Sequence, residues 1–128
     1  EGLSAATRRR VAAEVALARG DDARDQIAVE VLSNWVDVAV VKLGGEGSLV
    51  RTGGHTHKIP VFPAQVADTT GAGDSYAGGF LYGWLQGWSP DRCGTLGSRV
   101  AALTVSQVGA VCRDRDAISA ARAATEAG

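Results

Sequence analysis

Residues 36–43 form a short, nearly unbroken apolar run rich in Val. Strands covered on both faces read this way, parallel ones above all. On either side the pattern changes period. Upstream, Val11, Val15 and Ala18 recur at helical spacing, with Arg8, Arg9 and Arg10 early on the other side. That spacing predicts a helix over residues 4–18, stopped by Gly20. The Arg triplet reads as a solvated helix face rather than a phosphate patch. Asp21 or Asp22 then caps a second predicted helix, to about Asn34, with Ile27, Val31 and Leu32 facing inward. Downstream, residues 48–52 and 55–62 read as two strands around Gly53-Gly54, a loop that suits a tight hairpin. Pro60 and Pro63 put the second of them at a sheet edge or exit. His55 and His57 alternate onto one face of it and, with no third ligand near in sequence, read as exposed hairpin histidines rather than a metal pair.

In the second half Tyr76, Phe80, Trp84 and Trp88 recur every four residues, with Leu81 and Leu85 alongside. Such a stripe is the face that buries a helix. Gly78 and Gly79 so early in it point to close backbone packing, and Gly87 ends it. Ser89-Pro90-Asp91 starts the next helix, with Pro in the first turn. It runs to about residue 107 and buries Leu96, Val100 and Leu103. An Ala-rich helix over residues 116–126 closes the chain. Strands, hairpin and helices in this order predict an α/β layer fold with residues 36–43 as an inner strand.

Composition narrows the function classes. The 128 residues are 45% hydrophobic and 21% charged, with a net charge of -1. That balance suits one soluble globular domain. It gives no broad electrostatic case for nucleic acid or an anionic membrane, and no apolar run has transmembrane length. No nucleic-acid or membrane partner is expected. Cys93 and Cys112 have no CxxC spacing and read as buried thiols in a reducing compartment, which makes the expected location cytoplasmic. The chain contains no Met and opens on Glu1, so it reads as a processed product or a fragment.

The candidate chemistry lies in Asp68-Thr69-Thr70-Gly71-Ala72-Gly73-Asp74, between the Pro-containing segment and the aromatic stripe. Gly71 and Gly73 let the backbone bend so that its amides face one point. The helix that follows adds free N–H groups and a positive dipole end. Together they form an anion site of the kind that holds phosphate. A carboxylate beside a polyphosphate repels it, so Asp74 makes sense if it faces a hydroxyl that loses a proton while attacking phosphorus. The plainer reading is a capped helix start, with Thr70 or Asp74 bonding first-turn amides. A dinucleotide fingerprint would need a third Gly at position 76, where Tyr stands, and no GxxxxGK[ST] exists.

The string from Asp68 through Ser75-Tyr76-Ala77-Gly78-Gly79-Phe80 closely resembles the C-terminal signature of the ribokinase-like (PfkB-type) carbohydrate kinases. The resemblance implies a three-layer α/β/α fold, of which residues 1–128 would be the C-terminal part, the N-terminal substrate and lid half being absent. It implies Asp74 as catalytic base and the backbone of Gly71, Ala72, Gly73 and Asp74 as anion hole. Lys42-Leu43-Gly44-Gly45-Glu46-Gly47 resembles the Thr-Leu-Gly-x-x-Gly segment that lies along ATP in that family. Lys42, Gly44 and Gly47 would thus bind nucleotide, on the same molecular edge as the Gly71 turn, with Lys42 replacing the usual Thr. Ser98 falls where an Asn or His of the adenine region is frequent, and Gln107 where an Arg is frequent. Gly109-Ala110 matches. A monovalent-cation site would use Asp68, Thr70 and carbonyls near Thr104, Gln107 and Gly109. Glu1 would be the tail of an Asn-x-x-Glu motif.

The implied activity is transfer of a phosphoryl group from ATP to a hydroxyl of a sugar or related small molecule, with Mg²⁺ and, at the cation site, K⁺. A nucleoside kinase of the same family and an inactive nucleotide-binding fragment are the alternatives. Pairing of the intact protein as a homodimer would run through the lid.

Overall fold

The computed structural model describes residues 11–16 and 22–128, with side chains from residue 25 on in the first helix. The chain divides into two compact units, residues 1–59 and 60–128.

Among the described residues the first unit is a four-stranded sheet in the order β1-β2-β3-β4 with one helix between β1 and β2. Its elements are β1 (Val11–Ala16), α1 (Asp22–Ser33), β2 (Val38–Lys42), β3 (Ser48–Thr52) and β4 (His55–Ile59). β2 pairs in parallel with β1 and antiparallel with β3, so the Val run is an inner strand, as its pattern predicts. Val38, Ala39, Val40 and Val41 are all buried. Ala39, Val41 and Leu43 pack with Leu49 and with Val29 of α1. Gly53 and Gly54 close the β3–β4 hairpin with φ of 53° and 82°. Positive φ at both positions is what a type I′ turn demands.

Three expectations for this unit need correcting. Where residues 11–16 are described they form a strand, not part of a helix; residues 4–10, the Arg triplet, Gly20 and Glu1 lie outside the described residues. Val11, Ala13 and Val15 also satisfy strand alternation, and pairing with β2 decides between the two periods. In α1 Leu32 packs against the core as expected, but beside it the inward residues are Asp25 and Val29, whereas Ile27 and Val31 are 61% and 52% exposed. Two residues are about 200° on a helix, so seating Asp25 and Val29 on the sheet turns Ile27 and Val31 away. Strand β4 stops at Ile59 rather than Phe62, one residue before Pro60, which has no N–H to give a ladder.

The second unit is helical: α2 (Ala72–Leu85), α3 (Pro90–Val105) and α4 (Arg115–Ala127). Tyr76 and Phe80 are buried and stack at 6.4 Å, as the aromatic stripe predicts, whereas Trp84 is half-buried and Leu81 and Leu85, expected alongside, are exposed. Trp88 lies beyond the helix end. Gly87, at φ 77°, turns the chain there. The Trp88 N–H then donates to the Gly83 carbonyl and the Gly87 N–H to the Trp84 carbonyl, both at 3.0 Å. These are the two bonds of a Schellman stop.

Helices α2 and α3 meet through glycine. A Cβ on Gly79 would come within 2.9 Å of the Gly97 Cα, and one on Gly97 within 2.8 Å of the Tyr76 carbonyl oxygen. Leu96 is buried as expected. Val100 and Leu103 are only half-buried, and Cys93 and Thr104 take the innermost positions. Both cysteines are free and buried. Burial, with the nearby Asp91 charge, pushes the Cys93 thiol up to about 11. Asp114 caps α4 by accepting the Ala117 N–H at 2.9 Å. Among the described residues no helix is long and apolar enough to cross a membrane.

Candidate active site

Residues 60–67 carry no regular structure and deliver Asp68 to the C-terminal end of α3. There the N–H groups of Ala67 and Asp68 both donate to the Val105 carbonyl, at 2.7 and 3.2 Å. The Asp68 carboxylate makes two further ties. Oδ1 accepts the Thr70 N–H at 2.9 Å and Oδ2 accepts the Gly109 N–H at 3.1 Å. The Thr70 side chain, the Thr70 N–H and the Gly109 N–H, in that order, hold its carboxyl below the ordinary value of 3.8; desolvation opposes them weakly. Asp68 thus straps the segment before α2 to the turn after α3.

That turn is the wall on which the Gly-rich segment is built. Gly71 takes the N-cap position of α2 at φ 77°. A Cβ there would collide with the carbonyl oxygen of Ala110 and come within 2.8 Å of its Cα. Conformation and space therefore both require glycine. The first helical bond runs from the Ser75 N–H to the Gly71 carbonyl at 2.9 Å. The amides of Gly73 and Asp74 precede it and have no acceptor within the helix. The N-cap residue is glycine and bonds them with no side chain. A helix N-terminus with open amides favours an anion. The Asp74 side chain, in the same turn, is exposed. Beside it the Ser75 hydroxyl lies 2.8 Å from that of Thr104, which is fully buried on α3.

The other sequence-nominated residues fall in several places. In the first unit, Lys42 ends β2, and Gly44 (φ 60°) and Gly47 (φ 97°) bound a single 3₁₀ turn. The Leu43 N–H donates to the Gly47 carbonyl at 2.8 Å, closing that turn at the carboxyl end of β2. Open α/β sheets bind ligands at such ends. In the second unit, Ser98 is 6% exposed within α3. Asp68, Thr70 and Gly109 are brought together. The Thr104 carbonyl already accepts the Gln107 N–H at 3.4 Å, and the Gln107 side chain donates to the Val111 carbonyl. The Asp68 carboxylate and the Thr104 carbonyl each accept amide hydrogen bonds there and keep further lone pairs. Among the described residues no three His, Cys, Asp or Glu side chains gather as metal ligands. Two features escaped the sequence reading: Ala110 as the wall against Gly71, and the Thr104–Ser75 pair. The signal for the second was a threonine among the apolar positions of α3.

Comparison with known proteins gives this geometry a context. Residues 12–115 match the model of the pfkB family carbohydrate kinases. A sugar kinase of Archaeoglobus fulgidus is 41% identical over 75 residues, which are 59% of this chain and 30% of that protein. A 5-dehydro-2-deoxygluconokinase of Bacillus thuringiensis (strain Al Hakam) is 36% identical over 89 residues, 68% of this chain and 27% of that one. The crystal structure of adenosine kinase from Sinorhizobium meliloti superposes with a TM-score of 0.69 at 38% identity, over 77% of this chain and 30% of that one. The chain thus spans about 30% of the length of the curated relatives it matches.

Proposed function

This chain belongs to the pfkB family of carbohydrate kinases, and from that footing we propose that it carries the nucleotide-binding and catalytic-base part of an ATP-dependent kinase for a sugar or nucleoside hydroxyl. Residues 1–128 are then the C-terminal part of the kinase domain, and the acceptor pocket and lid belong to the remainder of the parent protein. The acceptor class stays at sugar or nucleoside, because the relatives include kinases of both kinds.

The observation that carries the reading is the first turn of α2. Its N-cap glycine is locked against Ala110, its leading amides have no side-chain cap, and an exposed carboxylate stands in the same turn. Left open, the amides of Gly73 and Asp74 bind oxygens of the transferring phosphoryl group as charge builds on them. Asp74 accepts the proton of the acceptor hydroxyl while that oxygen bonds to the γ-phosphorus and the bond to the β-phosphate oxygen breaks. The products are a phosphate ester and ADP. Mg²⁺, which kinases of this family use, neutralises phosphate charge when bound. In the first unit, Lys42 offers a positive charge and the Gly44 and Gly47 backbone a close approach for a nucleotide, at the carboxyl end of β2. Ser98 serves the adenine region only if its buried hydroxyl is uncovered.

The test is ADP release and product analysis with the parent protein, ATP and Mg²⁺ against a panel of sugars, sugar acids and nucleosides. Phosphorylation of one acceptor class is expected. ATP binding without transfer to any acceptor in the panel would leave a nucleotide-binding module and overturn the kinase reading.

A further inference from the structure

We propose that Thr104 is a positioning residue for phosphoryl transfer, acting through Ser75; this rests on Asp74 being the base. The Asp74 side chain is exposed, so its aim follows the backbone of the first turn of α2. That aim changes with any rotation of α2 about its axis, by about 100° per residue position. The α2–α3 contact is made mainly of small and apolar surfaces: Gly79 on Gly97, Gly97 on Tyr76, Gly83 on Cys93. Glycine faces bring helices close, with Tyr76, Phe80, Leu96 and Cys93 buried beside them, and a directional polar pair adds a key to the rotation.

The Thr104–Ser75 pair supplies that key. Thr104 is 0% exposed, and its Oγ1 lies 2.8 Å from the Ser75 hydroxyl and 3.1 Å from the Val100 carbonyl oxygen. Thr104 has one proton for the two: given to Ser75 it leaves Val100, and held on Val100 it leaves the Ser75 hydroxyl to donate to Thr104. Either way one hydrogen bond ties α2 to α3 at this point, and the pairing favours one setting of the helices. Because Ser75 is fixed toward α3, its neighbour Asp74 is turned outward, and the amides before it face the same anion site. Thr104 reaches the base through one covalent neighbour and touches neither phosphate nor acceptor.

The experiment uses the parent kinase with its acceptor. Thr104→Val keeps the shape and deletes the hydroxyl, and is expected to lower kcat about 10-fold, since small misplacements of a reacting group are costly. KM for ATP should change less than kcat, because the first-turn amides act most strongly on the charge that builds in the transition state. Thr104→Ser should restore kcat. Ser75→Ala removes the same bond from the other side and should lower kcat similarly, with no further loss in the double variant. It also serves as the test if Thr104→Val fails to fold. A merely structural role would lower Tm and leave kcat at 25 °C within about twofold, which overturns the proposal. Asp74→Asn, assayed in parallel, separates the two claims. If it abolishes turnover while both hydroxyl variants remain active, only the positioning role falls. If Asp74→Asn is itself active, the base assignment falls and takes this proposal with it.

Discussion

Replacing Gly71 with alanine perturbs the turn at its tightest point. Two costs add. Gly71 has φ 77°, and an L-residue in the left-handed region costs about 1–2 kcal/mol. The new methyl would also meet the backbone of Ala110, its Cα within 2.8 Å, where ordinary contacts lie at 3.4–4 Å. Backbone cannot rotate out of the way as a side chain can, and overpacking of this kind costs about 1–3 kcal/mol. The sum is about 2–5 kcal/mol, a large part of the ~5–15 kcal/mol by which domains are stable. Relief would require the 109–110 turn to retreat, which would strain the neighbouring bond from the Gly109 N–H to Asp68. Thermal unfolding of the chain, followed by circular dichroism, should show Tm lowered by about 6–30 °C, at about 3–6 °C per kcal/mol for a chain of this size. Calorimetry should show ATP binding weakened as well, because the same displacement disturbs the first-turn amides. A Tm within about 2 °C of the parent chain would refute the claim that turn and wall are locked together.

Two glycines side by side in α2 should behave oppositely. Gly79→Ala meets backbone of α3 at 2.9 Å and should destabilise by about 1–3 kcal/mol, whereas a Cβ on Gly78 meets nothing within 4 Å. Gly78→Ala should then be neutral or stabilising by up to about 1 kcal/mol, through helix propensity alone, in urea unfolding of the two variants. The Asp68 carboxyl, held below its ordinary 3.8, should contribute stability that is present above about pH 4 and lost as pH falls below it. Asp68→Asn should flatten the acid limb of the stability profile below pH 4, and an unchanged limb would remove the strap from the account.

How far the sequence carried the reading depends on where each deciding contact lies. The hairpin was legible because Gly53-Gly54 needs no outside help to turn. The inner strand was legible because burial on both faces leaves a continuous Val run. The helix expected over residues 4–18 failed because Val11 to Ala16 suits two periods, and the strand that selects one of them, β2, lies beyond any local window. The face of α1 failed for a related reason. Ile27, Val29, Val31 and Leu32 spread apolar surface around the helix, and nothing local foretold that Asp25 would be 2% exposed. At the site, the string from Asp68 to Asp74 announced an anion turn before a helix. It did not announce that Ala110 forms the wall, or that Ser75 meets a hydroxyl 29 residues away.

The central claim, that Asp74 is a catalytic base and not part of a helix cap, is tested most directly by Asp74→Asn in the parent kinase. The variant keeps the side-chain shape and the first-turn amides but cannot accept the acceptor's proton. A positioned base contributes about 10²–10⁴-fold, so kcat should fall by about two orders of magnitude or more. ATP affinity measured by calorimetry should stay within a few-fold or rise, since a negative charge beside the phosphates is gone. Near-normal turnover in the Asn variant, with ATP binding intact, would contradict the account and return the segment to the role of a helix start.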